Sequence, residues 1–371
     1  MHSKLISKNY DFNTSLKRLV DWEYILRCTQ EETPLFIDKI TLLYEDSELF
    51  ERISNTENYF IPYTQIVQQY SNLPMISIIL ISYNQEKYIR RAILSILSQY
   101  PEYKCEIIIS DDASTDHTPQ IINEYASKYP NLIKNISSRT HVGITENYRR
   151  CAKYVSGEYI AILEADDYWT YPRKLLDSLQ FLNNNLECPM VFSRVYTEIN
   201  SKRALLPSQG DLTAGKLTMR DFAKRNFNVI INLSACFFRR DFFVRTVSLE
   251  QHRISEIIFA TIALESGKVG YISRPCSVYQ ISPEGYWSGM SKEEKLIDSF
   301  LIRRSAYLNA SQNKEIIKQC IIKSFFRDNY TSTIIIQSGK NDIISEYDTA
   351  NNKMRCFINN LKSIFKSFRK R

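Results

Sequence analysis

Residues 75–112 read MISIILISYNQEKYIRRAILSILSQYPEYKCEIIISDD, and the interpretation of this stretch decides the fold. Its first eight residues are almost continuously apolar and rich in β-branched side chains, which suits a strand buried on both faces of a sheet. Residues 86–99 then place Tyr88, Ile89, Ala92, Ile93, Ile96 and Leu97 on one face of a helix. CEIIIS at residues 105–110 supplies a second buried strand that runs directly into Asp111 and Asp112. Strand, amphipathic crossover and strand make a βαβ unit, so a parallel sheet is expected.

The alternation continues downstream. Thr118-Pro119 is a cap-type residue followed by proline at a first helical position, and it opens a second helix. A third strand is expected over 132–137, a third helix over 145–155, a fourth strand over 158–163 and a further helix over 172–183. Beyond a strand at 191–195 the periodicity weakens, and the run NVIINLSACFFRRDFF at 228–243 has no clear period. Helical patterns return over 293–308 and 314–327. The expected fold class is therefore α/β, a nucleotide-binding type of sheet flanked by helices, with helical additions at both ends. Three polar clusters, Ser82-Tyr83-Asn84, Asp111-Asp112 and Glu164-Ala165-Asp166-Asp167, fall just past strand C-terminal ends. Open α/β sheets bind ligands in the crevice outside those ends, so one pocket is expected to collect all three.

Composition narrows the function classes. The chain has 371 residues, 44% hydrophobic and 24% charged, which supplies a large core and excludes disorder over most of its length. No apolar run reaches the length of a membrane span, and residues 1–10 lack the apolar core of a secretory signal, so a cytoplasmic protein is expected. Eight scattered cysteines without a CxxC pair read as reduced thiols in the core. Glycine numbers 9, and neither GxGxxG nor GxxxxGK[ST] occurs, which excludes the Gly-rich phosphate loops. The formal charge of +7 resides in Lys353, Arg355, Lys362, Lys366, Arg369, Lys370 and Arg371, with no acid among them. A basic tail on an otherwise neutral chain argues against nucleic acid as a partner, because such a footprint is spread over a folded face.

The carboxylates carry the chemistry. Glu164, Asp166 and Asp167 repel one another and raise one another's pKa unless a cation neutralises them. Hard oxygen ligands select Mg²⁺ or Mn²⁺, which take one or two protein carboxylates together with substrate phosphates. A solvated helix-capping turn is the alternative reading, and the position after a hydrophobic strand favours the metal. Asp111 and Asp112 serve either as turn residues or as acceptors for the imide N–H of a pyrimidine base, and Tyr83 offers a stacking face.

Taken together, residues 75–184 resemble the donor-binding half of family 2 inverting glycosyltransferases of the GT-A fold, as found in bacterial surface-polysaccharide synthesis. The resemblance rests on SIILISYNQEKYIRRAILSILSQ, EIIISDDASTDHT and VGITENYRRCAKYVSGEYIAILEADDYWTYPRKL in that order. It implies a hexosyltransferase-type enzyme moving a sugar from a nucleotide diphosphate donor, a UDP-sugar by expectation, to a glycan or lipid-linked acceptor hydroxyl. Ser82, Tyr83, Asn84, Asp111, Asp112 and Asn147 are the implied nucleotide-binding residues. Asp166, Asp167 and Glu164 are the implied ligands of a divalent Mn or Mg ion, with Glu164 where the common pattern has Asp. Glu256 is the implied general base, preceding the ESGKVGYI and VYQISPEGYWS segments, in which Gln280 and Ser282 replace the usual Arg and His. The competing readings are a degenerate, non-catalytic interaction module and a nucleotidyltransferase. The latter is expected to carry a basic phosphate loop after its first strand, and SYNQEKYI is not one.

The expected organisation is an accessory segment at 1–73, a catalytic domain at 74–290 and a helical region at 291–371. Asp21, Phe36 and Tyr44 repeat the spacing of Glu256, Tyr271 and Tyr279, so the first segment resembles the closing part of another glycosyltransferase domain. Near the other end Phe357, Ile358, Leu361, Ile364, Phe365 and Phe368 form a helical apolar stripe among the basic residues. That combination suits a helix lying in an anionic membrane interface, at the inner face of the plasma membrane. Salt-sensitive co-sedimentation of the full chain with anionic vesicles is the expected result. Truncation after Asn352 should abolish it without lowering the melting temperature, whereas a large loss of stability would place the stripe in the core.

Overall fold

The structure, a computed structural model, describes residues 75–99, 103–206, 209–282 and 285–328. The N-terminal accessory segment and the basic tail lie outside the described residues. Ten strands form one mixed sheet: β1 (Met75–Ser82), β2 (Lys104–Asp111), β3 (Ile133–Asn135), β4 (Tyr159–Glu164), β5 (Tyr168–Trp169), β6 (Met190–Ile199), β7 (Lys202–Leu205), β8 (Gly215–Leu217), β9 (Cys236–Arg239) and β10 (Val269–Gln280). Their order is β3-β2-β1-β4-β9-β6-β10-β5, with β7 on β6 and β8 on β10. The α/β expectation holds.

Strand β1 is the axis of the donor half, and it explains why the sequence there is continuously apolar. Ile76, Ile78 and Leu80 face one core with Ile89, Ala92, Ile93 and Ile96 of α1 (Ile89–Leu97), while Ile79 and Ile81 face the other core on the opposite side. Period-two alternation thus buries every position. Strand β1 pairs in parallel with β2 from Met75↔Lys104 to Ser82↔Asp111, and with β4 from Ile76↔Tyr159 to Ile81↔Glu164. This register brings the three strand ends, and the polar turns that follow them, to one level.

Helix α1 starts three residues later than the expected 86–99. The backbone N–H groups of Asn84, Gln85 and Glu86 donate to Ser114 Oγ, Thr118 Oγ1 and Asp116 Oδ2, at 2.7, 2.8 and 3.0 Å. Side chains from the start of α2 (Thr118–Lys128) therefore satisfy those donors and hold 84–86 as a loop. Strand β9, antiparallel between β4 and β6, comes from the CFFR of the run that had no clear period. Four residues sandwiched on both faces are too short to show a period.

Helices α3 (Ile144–Ala152), α4 (Lys174–Asn184), α5 (Met219–Lys224), α6 (Arg240–Val247) and α7 (Glu256–Ser266) complete the layers, followed by a short turn of helix, α8 (Tyr286–Gly289). Helices α9 (Lys292–Asn309) and α10 (Lys314–Asp328) contribute Phe300, Ile302, Ile317 and Ile321 to the same core as Ile160, Ile162 and Ile258. Packing is thus continuous across position 290.

The turn before β4 crosses the start of β1. Gly157 N donates to Ser77 Oγ at 2.8 Å, and a Cβ on Gly157 would lie 2.6 Å from Ser77 N and 2.8 Å from Met75 O. Those neighbours are backbone in a central strand and cannot yield. Gly157→Ala is expected to destabilise the protein by about 1–3 kcal/mol, as overpacking does, lowering Tm by roughly 2–4 °C per kcal/mol. An unchanged denaturation midpoint would show that the crossing is looser than described.

Candidate functional site

A cavity of about 650 Å³ opens past the C-terminal ends of β1, β2 and β4. Ser82, Tyr83, Asp112, Asn147, Glu164, Asp166 and Glu256 all line it, so one pocket gathers groups from all three polar clusters and from the second half of the chain.

On the donor side Tyr83 is 42% exposed, and its ring lies 4.4 Å from that of His141, centroid to centroid. His141 Nδ1 is 3.0 Å from Asp112 Oδ2. Asp112 is buried, and its carboxylate accepts from Val142 N at 3.0 Å and Gly143 N at 2.8 Å. Its work is to fold residues 141–143 over the cavity. Gly143 has φ +86°, which favours glycine, and serves as the N-cap residue of α3. One turn into that helix, Asn147 accepts from Ser110 Oγ at 2.6 Å and donates to Ser110 O at 3.0 Å.

Two expected donor residues do not line the cavity. Asp111 is buried and accepts from Ser82 Oγ at 2.8 Å and Ser114 N at 2.8 Å, which closes the turn beneath the site. Asn84, at φ +53°, accepts from Thr115 N at 2.9 Å and staples the same turn from above. Both are anchors of the loop rather than groups presented to a ligand.

The acidic turn divides likewise. Glu164 and Asp166 face the cavity. Asp167 is fully buried and points into the protein, where Oδ2 accepts from Asn232 Nδ2 at 2.6 Å and Oδ1 from Gln280 N at 2.9 Å. Of the three implied metal ligands, Glu164 and Asp166 line the cavity, whereas Asp167 does not, because each of its carboxylate oxygens is engaged by an internal donor. Burial, followed by the charge of Asp166, pushes Glu164 up to about 7, and burial pushes Asp166 up to about 6. Tyr148 O–H donates to Glu164 Oε1 at 3.1 Å.

These two carboxylates fit a divalent cation. They are hard donors at and just past the end of a strand, and their raised pKa values express a cost of charge that a cation would relieve. Among the described residues no group of three or more His, Cys, Asp or Glu has metal-site geometry. Two protein carboxylates are what Mg²⁺ or Mn²⁺ takes when substrate phosphates complete the shell.

Glu256 is the first residue of α7, a helix N-terminus that favours a carboxylate. Burial raises its pKa, and the guanidinium groups of Arg253 and Arg303 oppose the rise. Arg253 is held by Asp298, with Nη2 2.8 Å from Oδ2. Gln280 and Trp287 reach the cavity, whereas Ser282 does not line it. Several lining residues had no sequence signal. Ile230, Ile231, Asn232 and Leu233 form its wall from the run without a period, and His141, Arg253 and Arg303 are single polar residues outside any motif.

The family model of glycosyl transferase family 2 matches residues 77–247. Uncharacterized protein Rv1520 of Mycobacterium tuberculosis is 41% identical over 155 residues, 40% of this chain and 45% of that protein. Putative glycosyltransferase EpsE of Bacillus subtilis is 36% identical over 139 residues, 36% of this chain and 49% of that one. UDP-Glc:alpha-D-GlcNAc-diphosphoundecaprenol beta-1,3-glucosyltransferase WfaP of Escherichia coli is 39% identical over 112 residues, 30% and 42% of the two chains. The chain thus spans under half the length of these curated relatives. S. aureus TarS 1-349, solved in complex with UDP-GlcNAc, shares the fold with a TM-score of 0.53 at 20% identity, covering 68% of this chain and 73% of that one.

The division of the acidic turn is testable by stability alone. Asp167→Asn replaces an acceptor pair with an amide that meets two donors, and is expected to cost about 1–3 kcal/mol. Asp166→Asn removes a cavity-facing charge whose pKa is raised, and is expected to be neutral or stabilising in metal-free buffer. Denaturant titration in the presence of chelator measures both, and equal destabilisation by the two substitutions would contradict the assignment.

Proposed function

We propose that the chain, whose residues 77–247 match the family model of glycosyl transferase family 2, is a metal-dependent inverting glycosyltransferase. It transfers a sugar from a nucleotide diphosphate donor, a UDP-sugar by preference, to a hydroxyl of a glycan or lipid-linked acceptor in surface-polysaccharide synthesis. The observation that carries the reading is the single cavity lined by the aromatic face of Tyr83 and by the carboxylates of Glu164, Asp166 and Glu256. The name of WfaP supports both the UDP-sugar donor and the lipid-linked acceptor. The basic tail would hold the chain at an anionic membrane surface beside such an acceptor; among the described residues no helix is long and apolar enough to cross a membrane.

Tyr83 and His141 offer the base of the nucleotide a stacking surface, and Asp112 holds that surface in place through the 141–143 turn. Glu164 and Asp166 would hold Mn²⁺ or Mg²⁺, which when bound neutralises the charge of the departing nucleoside diphosphate. Glu256 takes the proton of the acceptor hydroxyl as its oxygen attacks the anomeric carbon from the face opposite the diphosphate. The bond from that carbon to the diphosphate oxygen breaks, and configuration inverts. Burial strengthens Glu256 as a base, and the walls built by Ile230, Ile231, Ile254 and Ile257 limit water that would hydrolyse the donor.

A panel of nucleotide-sugars incubated with Mn²⁺ and the full chain should identify a donor from which nucleoside diphosphate is released. Glu256→Gln is expected to keep the affinity for that donor and to lose turnover by about 10²- to 10⁴-fold. Turnover near the wild-type rate would place the base elsewhere, and no release from any donor by the wild-type chain would favour a non-catalytic binding role.

A further inference from the structure

Behind the acidic turn lies a polar cluster that no step of the proposed reaction uses. It is centred on Glu198 near the end of β6, whose side chain is only 11% exposed. Arg91 Nη1 of α1 reaches Glu198 Oε1 at 3.3 Å, and Tyr168 O–H donates to Glu198 Oε2 at 2.8 Å. The guanidinium of Arg91 lies over the Tyr168 ring, with Cζ 3.9 Å from its centroid. Gln280 at the end of β10 donates from Nε2 to Glu198 O at 3.2 Å and accepts at Oε1 from Arg91 Nη2 at 3.1 Å. Residues from α1, β5, β6 and β10, distant in sequence, therefore meet in one network.

Two members of this network grip the acidic turn itself. Arg91 Nη2 donates to the backbone oxygen of Asp166 at 3.2 Å. Gln280 N donates to Asp167 Oδ1 at 2.9 Å. The peptide unit between Asp166 and Asp167 is thus held on one side by Arg91 Nη2, which donates to its carbonyl, and on the other by the anchored Asp167 side chain. Arg91 Nε is buried without a hydrogen-bond partner. The orientation that reaches Asp166 is kept although it leaves a donor unmet, an arrangement that local stability alone disfavours.

We propose that Arg91, oriented by Glu198, Gln280 and the Tyr168 ring, is a positioning residue that fixes the direction of the Asp166 carboxylate toward a divalent cation. This rests on the metal-dependent reading above. Mg²⁺ and Mn²⁺ sites require ligands in defined geometry, and groups that orient a ligand typically change metal affinity by about 10- to 100-fold when removed. Lysine would not reproduce the role, since a point charge lacks the fork and the flat stacking face.

The test is calorimetric titration of Mn²⁺ into the full chain saturated with whichever of UDP, dTDP and GDP it binds best, alongside titration of that nucleotide in EDTA. Arg91→Met is expected to weaken Mn²⁺ binding about 10- to 100-fold, to leave metal-free nucleotide binding unchanged, and to be only partly restored in Arg91→Lys. Glu198→Gln, which keeps the hydrogen-bonding shape, should fall between wild type and Arg91→Met, and with Arg91→Lys it carries the test if Arg91→Met does not fold. Wild-type Mn²⁺ affinity in the folded Arg91 variants overturns the proposal while leaving the functional reading intact, as does an equal loss of metal-free nucleotide binding. Failure of the wild-type chain to bind Mn²⁺ with any of the three nucleotides overturns the functional reading and the positioning role with it.

Discussion

The constraint on which the site depends is the parallel register of β1 between β2 and β4. Setting Ser82 beside Asp111 and Ile81 beside Glu164 brings three polar turns to the same level of the sheet. Carboxylates packed at that level beneath helices must find donors or remain charged in a poor solvent. Asp111 finds Ser82 and Ser114, Asp112 finds the N–H groups of residues 142 and 143, and Asp167 finds Asn232 and the Gln280 backbone. Glu164 and Asp166 remain facing the cavity, with pKa values raised by burial. The cavity's acidity is what is left after the fold has satisfied its neighbours.

Where residues are buried by period, the sequence was legible. Strand β1 runs from Met75 to Ser82 as the apolar run does, because a central strand with helices on both faces has no solvent-facing position, and its one interior polar residue, Ser77, is buried and hydrogen-bonded. Helices α9 and α10 likewise fall within a residue of their expected ends. Legibility failed where side chains from far away settle the outcome. The start of α1 is decided by Ser114, Asp116 and Thr118 taking the N–H groups of 84–86. The direction of Asp167 is decided by Asn232 and Gln280, which are 65 and 113 residues distant. Strand β9 was hidden because four residues carry no periodicity, and the cavity wall at 230–233 because it belongs to neither helix nor long strand.

The second half of the sheet explains how Glu256 comes to share a cavity with groups that precede it by about a hundred residues or more. Antiparallel β9 inserts between β4 and β6, and the chain returns through α6 and α7 on the face carrying Ile79, Ile160 and Ile162. Helix α7 is apolar all round, as a helix buried between the sheet and α9 must be, and its first turn therefore supplies the nearest place for a polar residue. A carboxylate there gains from the exposed N–H groups of the helix start, which offset part of its burial. Arg253, tied to Asp298 of α9, brings positive charge to the same end. The helices after position 290 thus bear on the electrostatics of the site as well as on its packing.

Adjacent acids in this protein divide their work, and the cause is geometric. Successive side chains of extended backbone leave on opposite faces, so at the end of β2 one carboxylate turns toward the fold and the next toward the crevice, while after β4 the turn closed by Asp167 N on Glu164 O separates Asp166 from Asp167. Asp111 points to Ser82 and Ser114 inside the turn while Asp112 borders the cavity, and Asp167 points to Asn232 while Asp166 borders it. The inward member is an anchor whose hydrogen bonds hold the outward member still. Counting acids in such a motif therefore overstates the ligands available to a cation. Three carboxylates at 164–167 reduce to two facing the cavity, and two would leave coordination positions of a bound cation open for the phosphates of a substrate.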